Sequence, residues 1–302
     1  MHKSDLEGAI AAFREAIRIK PDYVEAHNNL GVALRDKGDV AGGIAACKEA
    51  IRLRPADAPG HCNLGHALKA QGRFRSALTA LRRGHELGSR NPRWSAPSAD
   101  WVREVELLAA LDERLPAVLE GKTRPKDGTE WLMFAQLCQT YHKRYAVAAR
   151  FFEEAFVAEP KLAEDGKAGH RYNAACAAAL AGCGQGKDAE SLDAKERARL
   201  RRLALDWLRA DLKVWQKSLD QAPAKAGPAV AVQMKHWLAD SDFAGVRGPD
   251  AIDRLPEAER PDWRKLWQDV ETSRKLALVP AKPPAAGQQP KSKQGSPPKG
   301  DK

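Results

Sequence analysis

No stretch of this sequence approaches 18 consecutive uncharged apolar residues, so no membrane-spanning helix is expected. The opening residues, MHKSDLEGAIAAF, lack the apolar core and the small-residue cleavage site of a secretory signal peptide. Cysteine is scarce, with only Cys47, Cys62, Cys138, Cys176 and Cys183. An odd number without a CxxC pair argues against a disulfide framework and against a zinc site. A cytoplasmic location is therefore expected, with no metal and no cofactor. Runs rich in Val, Ile, Thr, Tyr and Phe are missing as well.

What the sequence does have is alanine, leucine and charge. Hydrophobic residues make up 43% and charged residues 30% of the 302 positions, enough to build a core over most of the length. Alanine and straight-chain side chains lose little freedom in a helix, so the expected class is all-α. The formal net charge is +10, and part of that excess is local. The C-terminal end carries Lys282, Lys291, Lys293, Lys299 and Lys302 against Asp301 alone. Its Pro, Lys, Gly, Gln and Ser composition cannot bury enough surface to offset ordering, so 279–302 is expected to be disordered.

Internal repetition organises the first third of the chain. His27 matches His61, Asn29 matches Asn63, Leu30-Gly31 matches Leu64-Gly65, and Gly38 matches Gly72, all 34 residues apart. Pro21 and Pro55 keep the same interval, and DLEGAIAAFREAIRIKP matches the second half of the unit. Leu30 and Leu34 share one face of a first helix (A), Gly38 makes the turn, and Ile44, Cys47, Ala50 and Ile51 form the inward stripe of a second (B). A 34-residue unit of two helices and a turn resembles the tetratricopeptide repeat. Gly42 and Gly43 sit inside a helix at roughly 1 kcal/mol each relative to alanine, so that repeat is expected to be the softer one. The first unit has helix B only, begun by a capping box at Ser4–Glu7. Its missing partner helix suggests a fragment of a longer ancestral protein or a late start codon.

After Gly88 the pattern lapses. SRNPRWSAPSADW reads as a loop, and residues 101–121 as an amphipathic helix broken at Pro116. Residues 130–160 are a degenerate repeat, and RYNAACAAALAG (171–182) looks like another helix A. Residues 190–219 read as one long helix, followed by two shorter helices anchored by Trp237, Trp263 and Trp267. The expected organisation is a repeat array (1–90), a linker helix with degenerate repeats (91–189), a C-terminal helical region (190–278) and the tail (279–302).

AGCGQGKDA (181–189) poses the question of a phosphate-cradling loop. Such a loop follows a strand, opens a helix and reads GxxxxGK[ST]. Here the glycines follow an alanine-rich helix, the spacing is GxxxGK, and Asp188 stands where Ser or Thr would hold magnesium. The Rossmann GxGxxG is absent too. A turn between helices is the better reading.

The block GHRYNAACAAALAGCGQGKDAESLDAKERARLRRLALDWLRADLKVW (169–215) resembles the C-terminal repeat region attached to many planctomycete-type bacterial serine/threonine protein kinases. RPDWRKLWQDVE resembles the end of that region. The kinase motifs themselves are not found: no glycine-rich loop with VAIK, no HRDxxxxN, no DFG. The resemblance therefore implies a helical scaffold without kinase activity, and no catalytic residue carries over.

In a repeat array the binding groove is the concave face lined by helix A. By repeat spacing its residues are Asn28, Asn29, Val32, Arg35 and Asp36 in one unit, and Cys62, Asn63, His66, Lys69 and Ala70 in the next. The asparagine amides suit a peptide backbone, and Arg35 and Lys69 suit acidic side chains or a terminal carboxylate. The alternative is that the asparagines bond only their own scaffold. Arg197, Arg199, Arg201 and Arg202 read as a solvated face, with nucleic acid or an acidic partner as the other option. The cysteines read as small core hydrophobes. The expected function is a non-catalytic scaffold for a protein or peptide partner. The alternatives are a basic nucleic-acid-associated accessory protein, or the remnant regulatory region of a serine/threonine kinase.

Overall fold

The computed structural model describes residues 3–279 apart from Lys167, without the side chains of residues 3 and 4. The tail expected to be disordered lies, from residue 280 on, outside the described residues. Among the described residues there is no strand. The helices run α1 (Lys3–Ile19), α2 (Val24–Lys37), α3 (Val40–Leu53), α4 (Ala58–Ala70), α5 (Phe74–Ser89), α6 (Ser98–Leu119) and α7 (Gly128–Leu137). They continue as α8 (Tyr145–Ala158), α9 (Lys161–Glu164), α10 (His170–Gly182), α11 (Ala194–Gln221), α12 (Pro223–Ala239), α13 (Pro249–Asp253) and α14 (Arg260–Ala277). The chain is an all-α helical-repeat solenoid followed by a further helical region. Its main antiparallel pairs are α2–α3, α4–α5, α7–α8 and α10–α11, with α12 packed on α14.

Aspartates start many of these helices. Asp39 accepts from the Gly42 amide, Asp57 from Gly60, Asp127 from Glu130 and Asp193 from Glu196. Each satisfies an N–H that the first helical turn leaves without a partner. At the other end of α2, Gly38 turns the chain at φ 100, a conformation that costs glycine nothing.

The α2–α3 contact is closer than side chains allow. A Cβ on Gly43 would lie 2.8 Å from the Gly31 carbonyl oxygen and 3.2 Å from the Arg35 amide nitrogen. Gly43 is thus the place where two backbones meet. The sequence-based expectation that its glycines simply soften the repeat omits this contact, which helix propensity does not register.

Two cores result. A small one joins Ile10 of α1 to Leu30, Ala33, Leu34 and Ala46, with Leu6, Phe13 and Ile17 against it. The large one runs from Ile44 to Val270 and crosses every later pair. At its centre is α10, whose residues 174–182 are all buried. A helix apolar all round must be enclosed, and the alanines let α8, α11 and the 3₁₀ turn Ser241–Phe243 approach it.

Two local expectations change. Helix α6 begins at Ser98 and continues through Pro116 to Leu119. Proline there removes one hydrogen bond in the last turn without ending the helix. The degenerate repeat contains a π-helical turn, Cys138–His142, closed by the Lys143 and Arg144 amides on the Cys138 carbonyl. The turn that follows holds Lys143 at φ 56. Lys143 occupies the turn position that Gly38 (φ 100) and Gly72 (φ 76) fill in the regular repeats.

Candidate peptide-binding face

The groove residues expected from the repeat register fall into two groups. Asn28 is buried, and its Nδ2 donates to Asp57 Oδ2 at 2.6 Å. Asp57 is the N-cap of α4, so Asn28 links one repeat to the next. Arg35 donates from Nε and Nη2 to Asp36 Oδ1. His66 meets Trp101 edge-on with ring centroids 4.6 Å apart. Lys69 Nζ pairs with Glu104 at 2.9 Å. Trp101 and Glu104 belong to α6, which therefore occupies the exposed side of α4 at these two residues. The second group stays open: Asn29 is exposed, while Val32 and Asn63 are half-buried. Among the described residues neither asparagine side chain has a hydrogen-bond partner.

His66 pays electrostatically for its place. Burial, then the charges of Lys69 and Arg35, hold its pKa down to about 4, against a smaller opposing effect of Glu104. At neutral pH the ring is uncharged, the form that burial favours.

Further along, α6, α7, the π-helical turn and α10 enclose an open cavity of about 590 Å³. Its apolar lining includes Leu107, Leu108, Leu111, Met133 and Leu137. Leu107 is 47% exposed, unusual for a leucine facing a recess. Its polar lining includes Glu104, Gln136, Thr140, Lys143, Asn173 and Asp242. Gln139 donates to the Asn173 carbonyl at 3.2 Å and joins the π-helical turn to α10. Tyr141 packs on Phe74 at 5.0 Å, which fixes the π-helical turn against α5. Motif reading missed this site, yet a signal was present. Asn173 precedes Gly182 by the same nine residues that separate Asn29 from Gly38 and Asn63 from Gly72.

The cysteines are free thiols, four buried and Cys183 half-buried. Burial pushes Cys47, Cys62 and Cys183 up to about 11 and Cys138 up to about 12. Cys176 moves the same way. Such thiols keep their protons at neutral pH and make poor nucleophiles. Cys176 lies close to Asp240 and Asp242. Asp240 accepts from Tyr172 Oη at 2.6 Å and from the Asp242 amide at 3.0 Å. This knot ties the 3₁₀ turn to α10, with Tyr172 stacked on Trp237.

The N-terminal residues match known repeat families. The "TPR repeat" model covers residues 1–38 and the "Tetratricopeptide repeat" model residues 24–57. The two matches together span residues 1–57, where the 34-residue register and the pair α2–α3 also lie. No curated protein matches the chain. Among solved structures it is similar to the crystal structure of MamA, at 16% identity and TM-score 0.28, covering 70% of this chain and 93% of that one. Yeast Tom70 aligns at 15% identity and TM-score 0.32, over 91% of this chain and 65% of its own. The complex of the TPR2AB domain of yeast Sti1 with pHSP90 aligns at 15% identity and TM-score 0.31, over 88% and 92%. Among the described residues no helix is long and apolar enough to cross a membrane.

Proposed function

We propose that this chain is a non-catalytic scaffold that binds a segment of another protein along its helix-A face. In this reading an apolar side chain of the partner enters the recess over Leu107, Leu111 and Met133. The amides of Asn29, Asn63 and Asn173 hydrogen-bond the partner's backbone. The carrying observation is a half-exposed leucine at the mouth of a cavity of about 590 Å³ rimmed by polar side chains. An apolar recess with a few polar groups around it is how ligand sites combine affinity with orientation. The nucleic-acid alternative is weakened in one part, because Arg199 and Arg202 are paired with neighbouring carboxylates. The resemblance of residues 169–215 to kinase-attached repeats makes a separately encoded kinase one partner to test.

The test is a random-peptide display selection on the purified chain, followed by anisotropy titration of the winners. Leu107→Glu should weaken selected peptides by at least tenfold, about 1.4 kcal/mol. Failure to select any peptide, or equal binding to the variant, refutes the site.

A further inference from the structure

The arginine run of α11 divides into two faces. Residues three apart, Arg199 and Arg202, point to one side and find acids. Arg199 pairs with Glu153 and Glu196, and Arg202 with Asp206 and Asp262. Residues four apart, Arg197 and Arg201, share the other side. That side does not face solvent as the sequence suggested, since Arg201 is only 8% exposed. It lines a second cavity of about 330 Å³, between the C-terminal end of α10 and the segment that leads through α13.

Three arginines line this cavity, Arg197, Arg201 and Arg254, and none of its described lining residues is acidic. Arg201 is locked in place. Its Nε and Nη2 donate to the two oxygens of Glu259, both at 2.7 Å, and its Nη1 donates to the Gly182 carbonyl at 2.6 Å. One N–H on each terminal nitrogen is left over. Arg197 donates from Nη2 to the Ala189 carbonyl at 3.0 Å, while its Nε is buried without a partner. The Arg254 side chain is exposed and has no partner in the described chain. Among the described residues, Glu259 is the one carboxylate that pairs with any of the three. Among the described residues, the pair with Glu259 leaves the three arginines with an excess of two positive charges, and Arg201 and Arg254 with unused donors.

Guanidinium forks match tetrahedral oxyanions, and a doubly charged one would balance the excess here. The glycine loop beside the cavity contributes room rather than donors. Its Gly184 and Gln185 amides already bond to Ala181 and Leu180 carbonyls. This distinguishes the site from a backbone phosphate cradle, in which the loop amides themselves hold the anion.

We propose that Arg197, Arg201 and Arg254 bind a phosphomonoester dianion, borne either by a phosphorylated side chain of a protein or by a small free phosphate. The site is separate from the Leu107 recess and stands whether or not that recess binds peptides. The test follows the arginine Nε–H signals of the full chain by NMR during titration with inorganic phosphate, a phosphoserine peptide and the same peptide unphosphorylated. A second titration series uses Arg197→Gln combined with Arg254→Gln, leaving Arg201 and its structural bonds intact. Saturable shifts with the phosphorylated probes, weakened at least tenfold in the double variant, are expected. Tighter binding of the phosphopeptide than of phosphate identifies a protein source, and equal binding a small free phosphate. No saturable shift, equal affinity in the double variant, or equal binding of the unphosphorylated peptide overturns the proposal.

Discussion

Replacing Gly43 by alanine separates two kinds of reasoning about this chain. On helix propensity alone the change stabilises α3 by about 1 kcal/mol. The structure reverses the sign. The new methyl would stand 2.8 Å from the Gly31 carbonyl oxygen and 3.2 Å from the Arg35 amide nitrogen, both backbone atoms of α2. Neither can rotate away, so α2 and α3 must move apart by several tenths of an ångström. Overpacking of this kind costs roughly 1–3 kcal/mol. Less the propensity gain, the expected net loss is about 1 kcal/mol. Gly8 of α1 is the control, because a Cβ there meets nothing within 4 Å. Gly8→Ala should yield the full propensity gain of about 1 kcal/mol. Urea unfolding followed by circular dichroism gives both differences from the midpoints, provided the slopes agree. A higher midpoint for Gly43→Ala, matching that of Gly8→Ala, would refute the close-approach argument.

Two further outcomes are expected. Lys143 stands at φ 56 where equivalent turns use glycine. A left-handed conformation costs an L-residue roughly 1 kcal/mol, partly offset by glycine's freedom in the unfolded chain. Lys143→Gly should therefore stabilise by about 0.5 kcal/mol, and Lys143→Val should destabilise, as read by urea midpoints. A Lys143→Gly variant less stable than Lys143→Val would contradict this. His66 should titrate near pH 4 by NMR, and Trp101→Ala, by admitting water, should move that midpoint toward 6.5. Its folded pKa is depressed, so its contribution to stability is complete above pH 6.5 and is lost as pH falls through 4. Asp211, raised to about 6 by burial, works in the opposite sense. The ring signal therefore isolates His66 better than bulk unfolding does. An unchanged midpoint in Trp101→Ala would mean that Trp101 does not exclude water from the ring.

The register of the groove shows how far local pattern reaches. Asn28 and Asn29 are neighbours in sequence and were indistinguishable as groove residues. A helical step of about 100° per residue sends one inward to Asp57 and leaves the other in solvent. Lys69 and His66 looked free because their partners, Glu104 and Trp101, lie about 35 residues downstream, where no repeat spacing connects them. The arginine run behaved likewise: four similar residues in sequence, Arg199 and Arg202 paired with acids on one side of α11, Arg197 and Arg201 turned to a cavity on the other.

Helical class, the 34-residue repeat, the turn glycines and the order of the helix pairs follow from local periodicity and composition, because the forces that set them act within a turn or two of helix. Tertiary structure alone decided which polar side chains stay available and where the cavities open. It also decided whether a glycine weakens a helix or lets two backbones meet. Those outcomes depend on contacts between segments distant in sequence, whose distances and partners exist only once the helices have stacked.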